Sequence, residues 1–129
     1  YGNDIIFNSA KIYVAGYVQF ANGNKDLIVS CVDTAGQAQW IYRDTVSLEA
    51  DAVVVSQSRC VYVAGFTRIN SLDIIALKLD SLGNEVWRYV YDGPAGSYDE
   101  ASSIVIDGNE NIYVGGYSTG LGTAEDSPL

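Results

Sequence analysis

Ile12-Tyr13-Val14-Ala15-Gly16 returns as Val61-Tyr62-Val63-Ala64-Gly65 and again as Ile112-Tyr113-Val114-Gly115-Gly116. Working outward, Asp26-Leu27-Ile28-Val29 aligns with Asp73-Ile74-Ile75-Ala76, Asp33 with Asp80, Gly36 with Gly83 and Trp40 with Trp87. The spacing runs from 47 residues between Asp26 and Asp73 to 51 between Tyr62 and Tyr113. A unit of that length used repeatedly is the signature of a repeat architecture. Upstream of each pentapeptide lies a short apolar run, Ile5-Ile6-Phe7, Val53-Val54-Val55 and Ile104-Val105-Ile106.

These runs are rich in Val, Ile, Tyr and Trp, with polar residues interspersed among apolar ones in stretches such as Ile74 to Asp80 and Glu85 to Tyr91, which predicts β-strands. Between them stand Asp33-Thr34-Ala35-Gly36, Asp80-Ser81-Leu82-Gly83 and Asp107-Gly108-Asn109. Asp and Asn bond their own backbone in a turn, and Gly supplies positive φ, so these segments predict hairpins. The predicted strands lie near 3–7, 12–18, 26–33 and 38–43 in the first unit, and near 51–56, 60–66, 73–80 and 85–91 in the second. The third unit shows two. Tyr117 to Asp126 spans the same nine residues as Tyr17 to Asp26, so the chain is expected to stop where a third strand would begin, with residues 118–129 mobile unless a partner chain covers them.

Four antiparallel strands in about 48 residues is the size of a propeller blade. The units resemble the SBBP family of bacterial β-propeller repeats in their Tyr-Val-x-Gly strand, Asp-led strand, Asp-x-x-Gly turn and Trp-containing strand. The resemblance implies an all-β fold of antiparallel four-stranded blades, about two and a half of them, as a partial propeller or an oligomer-completed ring. Blade one would occupy about 1–44, blade two about 45–92 and a partial blade three about 93–129. The innermost strands would be the apolar runs, and the tryptophans of the outermost strands would pack between blades. The family also implies an extracellular or cell-surface location. Two and a half blades leave open flanks, which points to a trimmed piece of a longer protein or to a homo-oligomer that closes the ring. The initial Tyr, in place of Met, favours trimming.

The net charge is −9 with only seven Lys and Arg, which argues against nucleic acid and anionic membranes as partners. No apolar stretch is long enough for a membrane span. The chain lacks histidine, so a Ser-His-Asp or Cys-His constellation cannot form within it. Cys31 and Cys60 fall at positions that other units fill with Lys78, Lys11 and Asn111, so a bridge is not part of the repeat. Asp107-Gly108-Asn109-Glu110-Asn111 resembles the start of a calcium loop but lacks the downstream bidentate Glu. A hairpin explains it better, and neither a metal nor a cofactor is expected.

Residues that recur in every unit serve the unit, so candidate sites lie where units differ. The connection Asp92-Gly93-Pro94-Ala95-Gly96-Ser97-Tyr98-Asp99-Glu100 is the longest and least regular. Asp92, Tyr98, Asp99 and Glu100 are candidate ligand-binding residues, because a phenol ring and carboxylates suit a sugar or a cation. Asp44, Glu49 and Asp51, in the preceding connection, would flank the same face and add to its negative potential. No residue is expected to be catalytic. The expected function is a non-enzymatic binding or scaffold module acting on protein or carbohydrate. The alternatives are a sector of a polysaccharide lyase or hydrolase, or a self-assembling unit.

Overall fold

The computed structural model describes residues 1–45, 47–68, 72–91, 99–120 and 123–125; the side chains of 46–48, 68–72, 92–100 and 117–129 lie outside that description. Among the described residues every element is a strand: β1 Gly2–Asn8, β2 Lys11–Gln19, β3 Lys25–Asp33, β4 Ala38–Asp44, β5 Ser47–Val55, β6 Val61–Arg68, β7 Leu72–Leu79, β8 Glu85–Tyr91, β9 Asp99–Ile106, β10 Ile112–Gly120 and β11 Thr123–Glu125. They form two four-stranded antiparallel meanders, β1-β2-β3-β4 and β5-β6-β7-β8, and a three-stranded sheet β9-β10-β11. The described chain is thus a stack of propeller-type blades. Among the described residues, no helix is long and apolar enough to cross a membrane.

The three sheets repeat one register. Gly16 faces Gly2, Gly65 faces Ala50 and Gly116 faces Ala101, and beside each pair the first strand carries one residue too many: Asn3, Asp51 or Ser102. This is a β-bulge at the same place in every unit. Sheets one and two have a further shared irregularity, where Cys31 faces Trp40 but Val32 faces Ala38, and Lys78 faces Trp87 but Leu79 faces Glu85.

Two expectations change at the third unit. β10 runs through Gly120, and the short β11 pairs with it, so three strands are described where two were expected. Glu125 faces Ser118, as Asp26 faces Val18 and Asp73 faces Thr67, so Glu125 takes the position that equal spacing assigns to Asp126. Residues 126–129 lie outside the description. The turns also differ in detail. Gly36 and Gly83 have φ near +85°, as their Asp-x-x-Gly turns require, but in the β9–β10 turn the left-handed residue is Glu110 rather than Gly108, as Arg59 is in the β5–β6 turn.

Packing follows from stacking. β5 lies against β1, β2 and β3, and β9 lies against β5, β6 and β7. Sheet two is therefore covered on both faces, and its central strands lose the in-out alternation: Val61, Tyr62, Val63, Ala64 and Asp73 through Leu77 are all buried. One core joins Tyr13, Ala15, Leu27 and Val29 of sheet one to Val53, Val61, Val63, Ile75 and Leu77 of sheet two. A second joins Tyr62, Ala64, Ile74 and Ala76 to Ile104 and Val114. Each fully buried Val, Leu or Ile contributes about 1.5–3 kcal/mol of transfer free energy. Trp40 seals the outer rim of the first boundary, its Nε1 donating to the Ser81 carbonyl at 3.1 Å. Cys31 and Cys60 are free thiols, and burial pushes the Cys31 thiol pKa up.

Candidate functional site

The bulges hold the inner end of the first boundary together. An extra residue turns its side chain out of the ladder, and Asn3 uses this to reach the next sheet: its Nδ2 donates to the Ala50 carbonyl at 3.0 Å, to Asp51 Oδ1 at 3.2 Å and to Glu49 Oε1 at 3.4 Å. The neighbouring Asp4 accepts from the Val53 amide at 2.9 Å. Lys25, at the start of β3, donates to Glu49 Oε2 and lies 4.3 Å from the centre of the Tyr17 ring. The Tyr17 ring stacks in turn on Tyr1, with centroids 4.9 Å apart. The Glu49 hydrogen bond raises the Lys25 pKa, outweighing the opposing effect of burial.

Asp44 belongs to a different cluster. It is buried, and Arg88 on β8 reaches its Oδ2 at 3.2 Å. The same guanidinium contacts Glu85 at 2.7 Å, and Glu85 accepts from the Tyr42 hydroxyl at 2.6 Å. The Arg88 bond, followed by that from Tyr42, holds the Glu85 carboxyl below its usual range despite partial burial. Burial and the donation to Glu85 push the Tyr42 phenol well above its usual pKa.

The expected site residues therefore separate. Glu49 and Asp51 converge on Asn3, while Asp44 joins Arg88, Glu85 and Tyr42. Asp99 and Glu100 open β9, paired with Ser118 and Tyr117, and their side chains lie outside the described residues. Asp92 and Tyr98 lie outside them entirely. Sequence reasoning missed Asn3, Lys25 and Arg88. The first was within reach, since Asn3 and Asp51 stand equally far ahead of their apolar runs and the bulge makes that position special. Arg88 aligns with Ile41, so no repeat signal marks it.

Chemically, the arrangement offers hydrogen-bond donors and acceptors in charge-paired sets that bridge two sheets. Among the described residues, no group of three or more His, Cys, Asp or Glu is placed to hold a metal ion. Asp107 instead organises its own turn, its Oδ1 accepting from the Asn109 and Asn111 amides at 2.8 and 2.9 Å.

With this geometry in view, residues 93–122 match the SBBP family, a beta-propeller repeat. The matched stretch includes the bulged β9–β10 pair, whose register sheets one and two repeat. Among curated proteins, none matches the chain.

Proposed function

We propose that this chain is a sector of an extracytoplasmic bacterial β-propeller that serves as a non-enzymatic binding or scaffold module for protein or carbohydrate. The observation that carries this reading is the use made of the candidate carboxylates. Glu49 is bound by Lys25 and Asn3, and Asp44 by Arg88, in each case across the boundary between two sheets. Groups so placed hold blades together, whereas a general acid needs a carboxyl whose pKa is raised toward neutrality. Where carboxyl shifts are resolved, at Asp80, Glu85, Asp107 and Glu110, all run downward. The test is exposure of the chain to a panel of polysaccharides and surface proteins with product analysis. Binding without cleavage is expected; chain cleavage that disappears in Asp99→Asn would establish the enzyme reading instead.

A self-assembling unit is favoured by a separate observation. The repeated tyrosine is 4% exposed at Tyr13 and 2% at Tyr62, each facing a following sheet, but 49% exposed at Tyr113. On the opposite flank Ile5 and Phe7 are exposed where the equivalent Val53 and Val55 are buried. Ala76, Trp87, Tyr89, Ile112 and Val114 line an apolar cavity of about 260 Å³ beside the third sheet. Apolar faces of this kind support association of copies. Light scattering across a concentration series decides: a discrete oligomer supports assembly, and a monomer at all concentrations removes it.

A further inference from the structure

The two boundaries between sheets share one geometry but carry different charges. At the second, Glu110 occupies the left-handed position of its turn, and its carboxylate accepts from Ser58 Oγ at 2.9 Å and the Tyr62 hydroxyl at 3.3 Å. Lys78 stands 5.5 Å from the centre of the Tyr62 ring. Hydrogen bonds from Ser56 and Ser58 hold the Glu110 carboxyl low, and Tyr62 and the Lys78 charge add to this. That corner contains its own counter-charge.

At the first boundary the equivalent left-handed position is held by Arg59, with φ of 67°. Arg59 and Ser81 from sheet two, with Lys11, Tyr13 and Trp40 from sheet one, line a cleft of about 340 Å³. Lys25, Arg43 and Arg88 are all ion-paired. Among the described residues, Lys11, Arg59 and Lys78 make no such ion pair; Lys78 stands over Tyr62 at the other boundary, whereas Arg59 and Lys11, whose Nζ donates to Gln39 Oε1 at 3.4 Å, both line this one cleft of a chain whose net charge is −9. Asp33 faces Lys11 across the β2–β3 ladder, but its oxygens accept from the Ala35 and Gln37 amides and the Gln39 side chain. Its charge is therefore partly committed to the turn.

The geometry points to this cleft as a binding site for a sugar acid, with the carboxylate between Lys11 and Arg59 and the sugar ring against the partly exposed edge of the Trp40 indole, behind which Tyr13 is buried. Cations recognise carboxylates by charge-assisted hydrogen bonds, and a cleft of this volume accepts one monosaccharide-sized body. An inorganic anion would leave the exposed indole edge unused, and the acidic surface disfavours a polyanion. The inference stands apart from the polar cluster around Glu49 and goes beyond the module reading, since it concerns a different end of the sheets and a defined ligand.

The experiment follows the Trp40 indole N–H by NMR, assigned with the Trp87→Phe variant, while glucuronate, glucose or inorganic phosphate is added. Glucuronate is expected to shift the signal saturably with a Kd of millimolar order or tighter, and neither glucose nor phosphate is expected to match it. Arg59→Glu, which copies the second boundary, should weaken glucuronate binding by tenfold or more, and Lys11→Gln should weaken it severalfold; unchanged melting of both variants shows that folding is not the cause. The inference is overturned by no shift at roughly 20 mM glucuronate, by an equal response to glucose or phosphate, or by binding that survives both substitutions.

Discussion

A Cβ built on Gly65 would stand 1.9 Å from the carbonyl oxygen of Glu49, and one built on Gly16 would stand 1.8 Å from that of Tyr1. Both glycines face the bulge, where the extra residue pushes the first strand's backbone toward the second. The glycine that ends the pentapeptide is thus required by its own sheet, and the bulge and the glycine form one repeated device.

Gly65→Ala should destabilise the chain by about 2–4 kcal/mol, because the contact is with backbone and cannot be relieved by rotating a side chain. Gly65→Val should cost at least as much. Urea midpoints measure this; a variant as stable as the parent would mean that the bulge relaxes without loss.

Trp40 and Trp87 occupy equivalent registers but different surroundings. Trp40 bonds the Ser81 carbonyl, and Gly83 packs so tightly on its ring that an added Cβ would come within 2.5 Å. Trp87 is 37% exposed, with the Tyr62 ring 6.2 Å away. Trp40→Ala should therefore cost about 3–5 kcal/mol, and Trp87→Ala less than half as much. Equal costs in thermal melts would contradict the asymmetry.

Period, strand composition and Asp-x-x-Gly turns made the blades legible, since each feature acts locally and recurs. The bulge was not legible as such, because an extra residue in one strand becomes visible only against its partner's register. The ion pairs were hidden for a related reason. Lys25 with Glu49 and Arg88 with Asp44 are contacts between sheets, made by residues that no repeat position predicts. A search for conspicuous residues in irregular connections finds Asp44 and Glu49 but not the cations that give them their roles.

The turn aspartates share one geometry. Asp33 Oδ1 accepts from the amides of Ala35 and Gln37 at 3.0 and 2.9 Å, and Asp80 Oδ1 from those of Leu82 and Asn84 at 2.9 Å each. Asp107 repeats the pattern with Asn109 and Asn111. Asp80→Ala should lower the melting temperature more than Asp80→Asn, since Asn keeps an accepting oxygen. Millimolar calcium should leave the melting temperature unchanged, and a rise lost in an Asp107 variant would show that the β9–β10 turn binds the ion.

Acid stability should depend on Glu85. Its carboxyl accepts from Arg88 Nε at 3.0 Å and from Arg88 Nη2 at 2.7 Å, with Tyr42 as a further donor, and its folded-state pKa is lowered. A depressed carboxyl pKa contributes stability that is fully present above the unfolded value, about 4.3, and is lost as pH falls through the folded one. Asp80, Asp107 and Glu110 shift the same way, so the parent chain should lose stability below that value through several groups together. Glu85→Gln should lower stability at neutral pH and reduce the proton uptake on acid unfolding by up to about one proton. The Tyr42 pKa is raised, so its contribution runs the other way: it is present below the ordinary tyrosine pKa of about 10 and fades as pH rises beyond it. Melting temperature against pH for the parent and Glu85→Gln separates these effects, and parallel acid limbs would show that the Arg88 network does not couple Glu85 to folding.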